Sequence, residues 1–557
     1  MQGSIGCYLR TLRYLRPIQI LARAKRTLYV PRIPDRPCPE RRPVSRAPAS
    51  WRARPPSMLG PDQFVFLNEE GRLKSSHSWD DPAHSKLWRY NLHYFDDLIS
   101  GQSTRRRKWH QDLINRWIRD VPPGKGVGWE PYPISLRTVN WIKWDLAGGE
   151  LPPDAIGSLA VQLRYLCRCL EWHLLGNHLL ANAKALIFGG LYFHSDEAKA
   201  WWRTGRRILE RELAEQVLAD GGHFELSPMY HLIVLEDILD LVNISRAYGR
   251  IVPDQWINTA RSMLRWATVM CHPDGQIPFF NDAAWGVAGT FEELREYAGA
   301  LGIGEDDNGL ARDRSVWLSS SGYARLEAEK AVLFFDAARV GPDYLPAHAH
   351  ADTLSIEVSL FSRRVLVNSG TSLYGSGEER HRQRGTAAHN TVVIDGENSS
   401  EVWGGFRVGR RARVQGVHWE PTECCIAAEH DGYRWLPGHP VHHRTVRLEP
   451  HQLIVTDHLK GRRRHTAQVR WHLHPQVVIT NAQVERNVYQ LTVPTHEGTR
   501  RVSLKLSGPA NMKSFVEETT WHPRFGYSEP NSCLVAEFEQ ELPVTVTTTL
   551  DWSGEGH

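Results

Sequence analysis

The sequence predicts a multidomain chain, α first and then β: a stack or closed ring of helix pairs followed by a large antiparallel β-sandwich. Three observations predict it. At 557 residues the chain is too long for a single hydrophobic core. Between Trp88 and about Leu301, apolar residues recur three and four apart, the period of a helix with one buried face. After Trp317 the period becomes two, in short runs rich in β-branched residues with turn residues between them.

Taken in order, residues 1–62 form a basic, Pro-rich N-terminal arm. Residues 8–28 read as an amphipathic helix packed on the main body, with a helix lying on a membrane surface as the alternative. Eight prolines between Pro31 and Pro56 then make an extended tether. A first domain, 63–315, opens with a hairpin in 63–82 and continues as helices over 154–175, 178–193, 196–219, 228–248 and 255–270. Short connections carrying Gly or Pro make successive helices antiparallel neighbours. A second domain, 316–557, holds the strands, among them Ala331–Asp336, Leu354–Leu360, Leu453–Asp457, Val469–Leu473 and Val544–Leu550. A ligand cleft belongs where the two domains meet.

Composition narrows the function. Hydrophobic and charged shares of 41% and 23% are those of a globular protein, and a net charge of +4 spread over this length gives no reason to expect nucleic acid. The 21 tryptophans and 27 histidines, interleaved with arginines, suit sugar rings that carry carboxylates or sulfates. The eight cysteines lack the paired spacing of a zinc site, and no segment has the apolar length of a membrane span. With no recognisable signal peptide, a cytoplasmic location is the default and a periplasmic or secreted one the alternative. The oligomeric state is left open.

The chemistry converges on two stretches, Pro346 to Ser355, with its His348-Ala349-His350-Ala351-Asp352, and Arg384 to Thr391, with His389. Three histidines and an aspartate between apolar runs are costly to bury unless they bond, bind a metal or react. In the helical half, Asn177-His178 opens one helix after Gly176. Ser227 caps another, with Pro228 at its first position and Tyr230 in its first turn. Helix N-termini favour anions, so a substrate carboxylate belongs there. Glu225 lies in the polar loop leading to Tyr230. Arg89, Asn91 and Tyr94, and Arg137 further on, combine cations, amides and aromatics that grip and stack on acidic sugars.

These motifs in this order (Asn177-His178, Glu225 to His231, His348 to Asp352, Val367-Asn368-Ser369-Gly370-Thr371 and Ala388 to Val392) resemble the heparinase II/III-like polysaccharide lyases, including their alginate-lyase-like and broad glycosaminoglycan-lyase branches, over about residues 85 to 550. The resemblance implies an (α/α) toroid joined to a β-sandwich, and β-elimination at a uronic acid of an acidic polysaccharide. It makes Asn177 the carboxylate-neutralising residue, assisted by His178, Tyr230 the acid, base or both, and His348 the base for the other uronate epimer. A tyrosine base needs a depressed pKa, which a nearby cation or metal supplies. The resemblance also implies one divalent metal, Zn or Mn, in the β-domain, on His350, His389 and the position of Asn368, with Asp352 as a substitute for that weak ligand. No organic cofactor is expected. Arg380, Arg384 and Arg407 are placed near the histidines as partners for substrate carboxylate or sulfate, with His389 beside them.

Two rivals remain at this stage. A glycoside hydrolase on the same scaffold would need two carboxylates facing one bond, with Glu225 and Asp282 the best pair. A non-catalytic glycan-binding protein of exopolysaccharide or capsule assembly would need neither.

Overall fold

The computed structural model describes residues 5–29, 31–304 and 315–555. Two short helices, α1 (Ile5–Leu12) and α2 (Pro17–Leu28), lie on the surface, and the Pro-rich tether runs extended from them. The expected hairpin is present, Gln63–Phe66 paired with Glu69–Arg72. Among the described residues nine further helices build the first domain: α3 (Lys86–Tyr94), α4 (Arg107–Asp120), α5 (Pro131–Trp144), α6 (Pro153–Leu166), α7 (Gly176–Tyr192), α8 (Asp196–Gln216), α9 (Pro228–Ala247), α10 (Asp254–Val269) and α11 (Phe291–Ala300). The helices expected from period agree with α6 to α10, except that α6 stops at Leu166 and residues 167–175 turn back toward α7.

Helices α5, α7 and α9 are buried along nearly their whole length, whereas α8 and α10 keep a polar side. A helix apolar all round is an inner helix and one with a single apolar stripe is an outer one, so the two kinds alternate as in a ring with an inner and an outer layer. All described helices are too short or too polar to cross a membrane. None of the eight cysteines, all of them among the described residues, forms a disulfide.

The second domain is antiparallel throughout its three large sheets. The first is a five-stranded meander, Val316–Leu318, Tyr323–Ala328, Ala331–Asp336, Ile356–Leu360 and Arg363–Leu366. An eight-stranded sheet spans Val414–Glu420 to Val544–Asp551, and a four-stranded sheet centres on Arg464–His472 and Glu529–Glu541. A bridge from Leu366 to Leu473 links the five- and four-stranded sheets, and all three sheets feed one apolar core. The expected division near 315/316 adjoins residues 305–314, which lie outside the described residues.

The strand Ala331–Asp336 explains how the domains are fastened. Leu333 and Phe335 point into the sandwich core, while Val332 and Phe334 point the other way, into a second cluster with Trp266 and Val269 of α10. A strand with two buried faces reads as an unbroken apolar run, which is what Ala331-Val332-Leu333-Phe334-Phe335 is.

Candidate active site

The strands Ala331–Asp336 and Ile356–Leu360 are not joined by a tight turn. Residues 337–355 make an excursion whose neck is closed by Asp336 N–H to Ser355 O (3.0 Å) and Leu354 N–H to Asp336 O (2.8 Å). This loop carries His348, His350 and Asp352 toward the helical domain. There it meets the segment between α10 and α11: Asp282 N–H donates to His348 O, and His350 N–H donates to the Asn281 side chain.

Asp282 organises the site. It is completely buried, and Arg380 of a short helix, α12 (Glu378–Arg384), binds both of its carboxylate oxygens. His348 Nδ1 lies 2.9 Å from one oxygen and His350 Nε2 lies 2.9 Å from the other. Burial alone would raise its pKa, but Arg380 and the two histidines outweigh burial and hold the carboxyl well below the usual range. An ionised carboxylate only accepts, so each of these nitrogens carries its proton. In the neutral tautomers this leaves the lone pairs on His348 Nε2 and His350 Nδ1.

His348 Nε2 faces Glu225 Oε2 at 3.5 Å, and the His348 ring stacks on Tyr230, centroids 3.8 Å apart. Tyr230 sits where the cap expectation put it, in the first turn of α9. Its N–H is bound by Ser227 Oγ, and its hydroxyl shares a 2.9 Å hydrogen bond with that of Tyr374. The depressed pKa that a tyrosine base would need is not found. Burial and the neighbouring Tyr374 push Tyr230 well above its ordinary value, and among the described residues no cation bonds its hydroxyl.

Across the site, α7 begins with Leu175 and Gly176 both at positive φ. A side chain at Gly176 would strike Leu345 at 2.3 Å and Glu225 Oε1 at 2.8 Å, so only glycine lets the Glu225 carboxyl approach the helix end. Glu225 Oε1 accepts from Asn177 N–H at 3.1 Å, so the main-chain donor expected to serve a substrate anion already serves this side chain. Burial raises the Glu225 pKa, and its Oε2 has no hydrogen-bond partner. The Asn177 side chain makes no hydrogen bond among the described residues. His178 Nδ1 lies 3.0 Å from Glu171; burial opposes its charge, but the Glu171 carboxylate outweighs burial and raises its pKa. Tyr132 packs on His178 at 4.5 Å and Tyr94 on Tyr132 at 6.0 Å, an aromatic row leading to the site.

His350 Nδ1 and His389 Nε2 are 3.3 Å apart, and with Asp352 they offer three ligand atoms within 4.8 Å of one another. Two nitrogens each about 2.0–2.1 Å from a shared tetrahedral ion would stand roughly 3.3–3.4 Å apart. Burial lowers the two histidine pKa values to about 4 and about 3, so both are neutral ligands at neutral pH. Asp352 is raised by burial, near the equally buried Asp336. The donor set fits one divalent cation. Asn368 is held otherwise: its side-chain oxygen accepts from Asn390 N–H at 3.1 Å and its amide reaches Ser355 Oγ at 3.4 Å. The carboxylate that completes the group is Asp352.

Several expected substrate contacts are corrected. Arg137 is fully buried and donates to Gln162, His93 O and Gly128 O over the face of Trp117, so it braces α5 and cannot reach a sugar. Arg384 is fully buried too and donates to Ala349 O, Gly404 O and Arg407 O, clamping the histidine loop. Arg89 is paired with Asp80 at 2.6 Å, and the Asn91 amide returns to Leu87 O in its own helix. The hydrolase pair also fails: the His348 imidazole stands between Asp282 and Glu225, filling the space a glycosidic bond would need. The sequence reading missed Tyr374 and the central role of Asp282. Their only signal is position, Asp282 in a loop between helices and Tyr374 in the Gly-rich run after Gly370.

The Heparinase II/III N-terminus family model matches residues 155–301, and the Heparinase II/III-like, C-terminal model matches 311–553. A heparin-sulfate lyase of Bacteroides stercoris is 25% identical over 374 residues, covering 62% of this chain and 52% of that protein. FtsZ-localized protein C of Caulobacter vibrioides is 25% identical over 450 residues, covering 74% of this chain and 73% of that one. The chain spans about half the length of the first curated lyase it matches. A crystal structure of heparinase III shares the fold, with a TM-score of 0.70 at 16% identity over 85% of this chain and 79% of that one. With both of its domains matched, the chain belongs to the heparinase II/III-like family.

Proposed function

We propose that this chain is a polysaccharide lyase that cleaves uronate-containing glycans, glycosaminoglycans foremost, by β-elimination. The observation that carries it is the facing arrangement of two differently prepared walls. One wall offers neutral or cationic donors for a carboxylate, and the other a base beside an acid. The Asn177 amide, the His178 ring, whose pKa the Glu171 carboxylate raises, and the Glu225 carboxyl, whose pKa burial raises, receive the uronate carboxylate and stabilise the charge that spreads onto it when the C5 proton leaves. His348, oriented by Asp282, presents Nε2 to take that proton. Tyr230, which keeps its own proton, delivers it to the departing glycosidic oxygen. Because the two rings stack, proton removal and delivery occur side by side on one face of the sugar.

A divalent ion held by His350, Asp352 and His389 would supply a fixed positive charge that neutralises Asp352 and pins the histidine loop. Asp282 links His350 of that site to His348 through a single carboxylate.

The test is the ultraviolet absorbance of unsaturated uronate ends on a panel of glycosaminoglycans and alginate, with mass spectrometry of the products. Tyr230→Phe should lower turnover by about 10²–10⁴-fold and leave binding intact. New reducing ends without absorbance would point to hydrolysis instead. Binding without either signal would leave the glycan-binding reading standing, in keeping with a relative named for its localisation and not for chemistry.

A further inference from the structure

The N-terminal helices are built inside out. In α1 the residue buried against the body is Cys7, with Arg10 and Thr11 beside it, while Ile5, Leu9 and Leu12 form a stripe pointing away from the protein. In α2 the one buried side chain is the polar Gln19, and Ile18, Leu21 and Leu28 lie on the outside. Leu9 is 64% exposed, Leu21 70% and Leu28 87%. Isolated exposed leucines need no explanation, but two consecutive helices that both turn an aliphatic stripe outward do.

The helices are nonetheless firmly seated. Tyr8 packs edge-on against Trp403 at 4.5 Å, Thr11 Oγ1 accepts from the Trp403 indole at 3.0 Å, and Arg10 pairs with Glu401. Gln19 donates to Tyr344 O at 3.3 Å and Leu174 O at 3.4 Å, and Arg16 pairs with Glu215. Thus α1 grips the hairpin whose Phe406 touches Tyr374 and His348, and α2 grips the turn just before Asn177. Together they strap the two walls of the site. The outward apolar stripe is therefore held in place and presented.

Charge identifies what it is presented to. Residues 5–29 hold six basic side chains and no acidic one; Arg10 and Arg16 are ion-paired with the body, which leaves the exposed Arg13, Arg23, Lys25 and Arg26 to face outward. Short helices with an apolar stripe flanked only by arginine and lysine match the interface of an anionic bilayer, where the stripe enters the headgroup region and the cations meet lipid phosphates. We propose that α1 and α2 dock this protein on an anionic lipid surface, which would hold the mouth of the site beside the membrane. This rests on the arm alone and stands or falls independently of the lyase reading.

The full chain is sedimented with vesicles of phosphatidylglycerol and phosphatidylcholine and with vesicles of phosphatidylcholine alone. Most of the protein should pellet with the anionic vesicles, at least tenfold less with the neutral ones, and added salt should release it. The variant Leu9→Asp, Leu21→Asp, Leu28→Asp changes only exposed positions; with an unchanged melting temperature it should lose binding at least tenfold. Failure of the parent chain to bind anionic vesicles overturns the proposal, as does binding by the triple variant at the parent level. A dimer in light scattering that the triple variant abolishes, with no vesicle binding, would assign the surface to a second copy of the chain and overturn it as well.

Discussion

Two buried histidine pairs in this molecule are nearly superimposable in their chemistry and differ in one contact. In each, a histidine bonds an aspartate that an arginine holds ionised: His350 with Asp282 and Arg380, His442 with Asp457 and Arg444. In each, the remaining ring nitrogen faces a second histidine, His389 at 3.3 Å and His430 at 3.2 Å. His430, however, receives the N–H of Gly432 on Nδ1, so neutral His430 carries its proton on Nε2 and completes the bond to His442. His389 Nδ1 has no such donor, and Asp352 stands within reach of the pair. One pair is a closed hydrogen-bond network and the other leaves lone pairs converging. The Gly432 amide closes the second network, and Asp352 gives the first the donor set of a candidate cation site.

The comparison is most strongly tested at its shared carboxylates. Asp282→Ala and Asp457→Ala each leave a buried arginine unpaired and should each cost about 3–5 kcal/mol in denaturant unfolding. Only Asp282→Ala should also abolish elimination by unseating His348; equal activity loss in an otherwise folded Asp457→Ala protein would break the distinction.

Metal content separates the pairs next. Elemental analysis of protein loaded with zinc or manganese should give about one ion per chain, lost in His389→Ala and retained in His430→Ala. An ion that survives removal of His389, or that never binds the parent chain, would make the first pair structural as well.

Acid stability sharpens the closed pair. Burial opposes the charge on Asp457, but Arg444 and His442 outweigh burial and hold its pKa at about 2. A depressed folded-state pKa contributes stability that is full above the unfolded value, about 3.9, and is lost as pH falls through about 2. Asp457→Asn should flatten the rise of stability with pH over that window, as read from unfolding curves at stepped pH.

The smallest effect concerns Asn368. Asn368→Ala removes the acceptor for Asn390 N–H and should cost about 1–3 kcal/mol, with metal content unchanged because Asp352, and not Asn368, lies with the two histidines in the candidate site. Loss of the ion in this variant would return Asn368 to the coordination set.

The helices and strands were legible because period reports which face is buried, and α7 and α9 announced their N-termini through Gly176, Ser227 and Pro228. Asn177, His178, Tyr230 and His348 were legible as motif residues, and the structure draws them to one site. Arg137 and Arg384 were misread because an arginine bound to backbone carbonyls has no local signature distinguishing it from one that faces solvent. Whether Tyr230 acts as base or acid was left open for the same reason, since burial is a property of everything packed around it.

By itself, the sequence determined the two-domain order, the helix ends that carry Asn177 and Tyr230, and the histidine loop, because these depend on spacing along the chain. Only the tertiary structure decided that Asp282 orients both His348 and His350, that Asp352 replaces Asn368 beside the histidines, and that α1 and α2 turn their apolar sides outward. Each of those depends on hydrogen-bond direction and burial between segments tens to hundreds of residues apart, and no local pattern encodes where a distant lone pair or N–H will point.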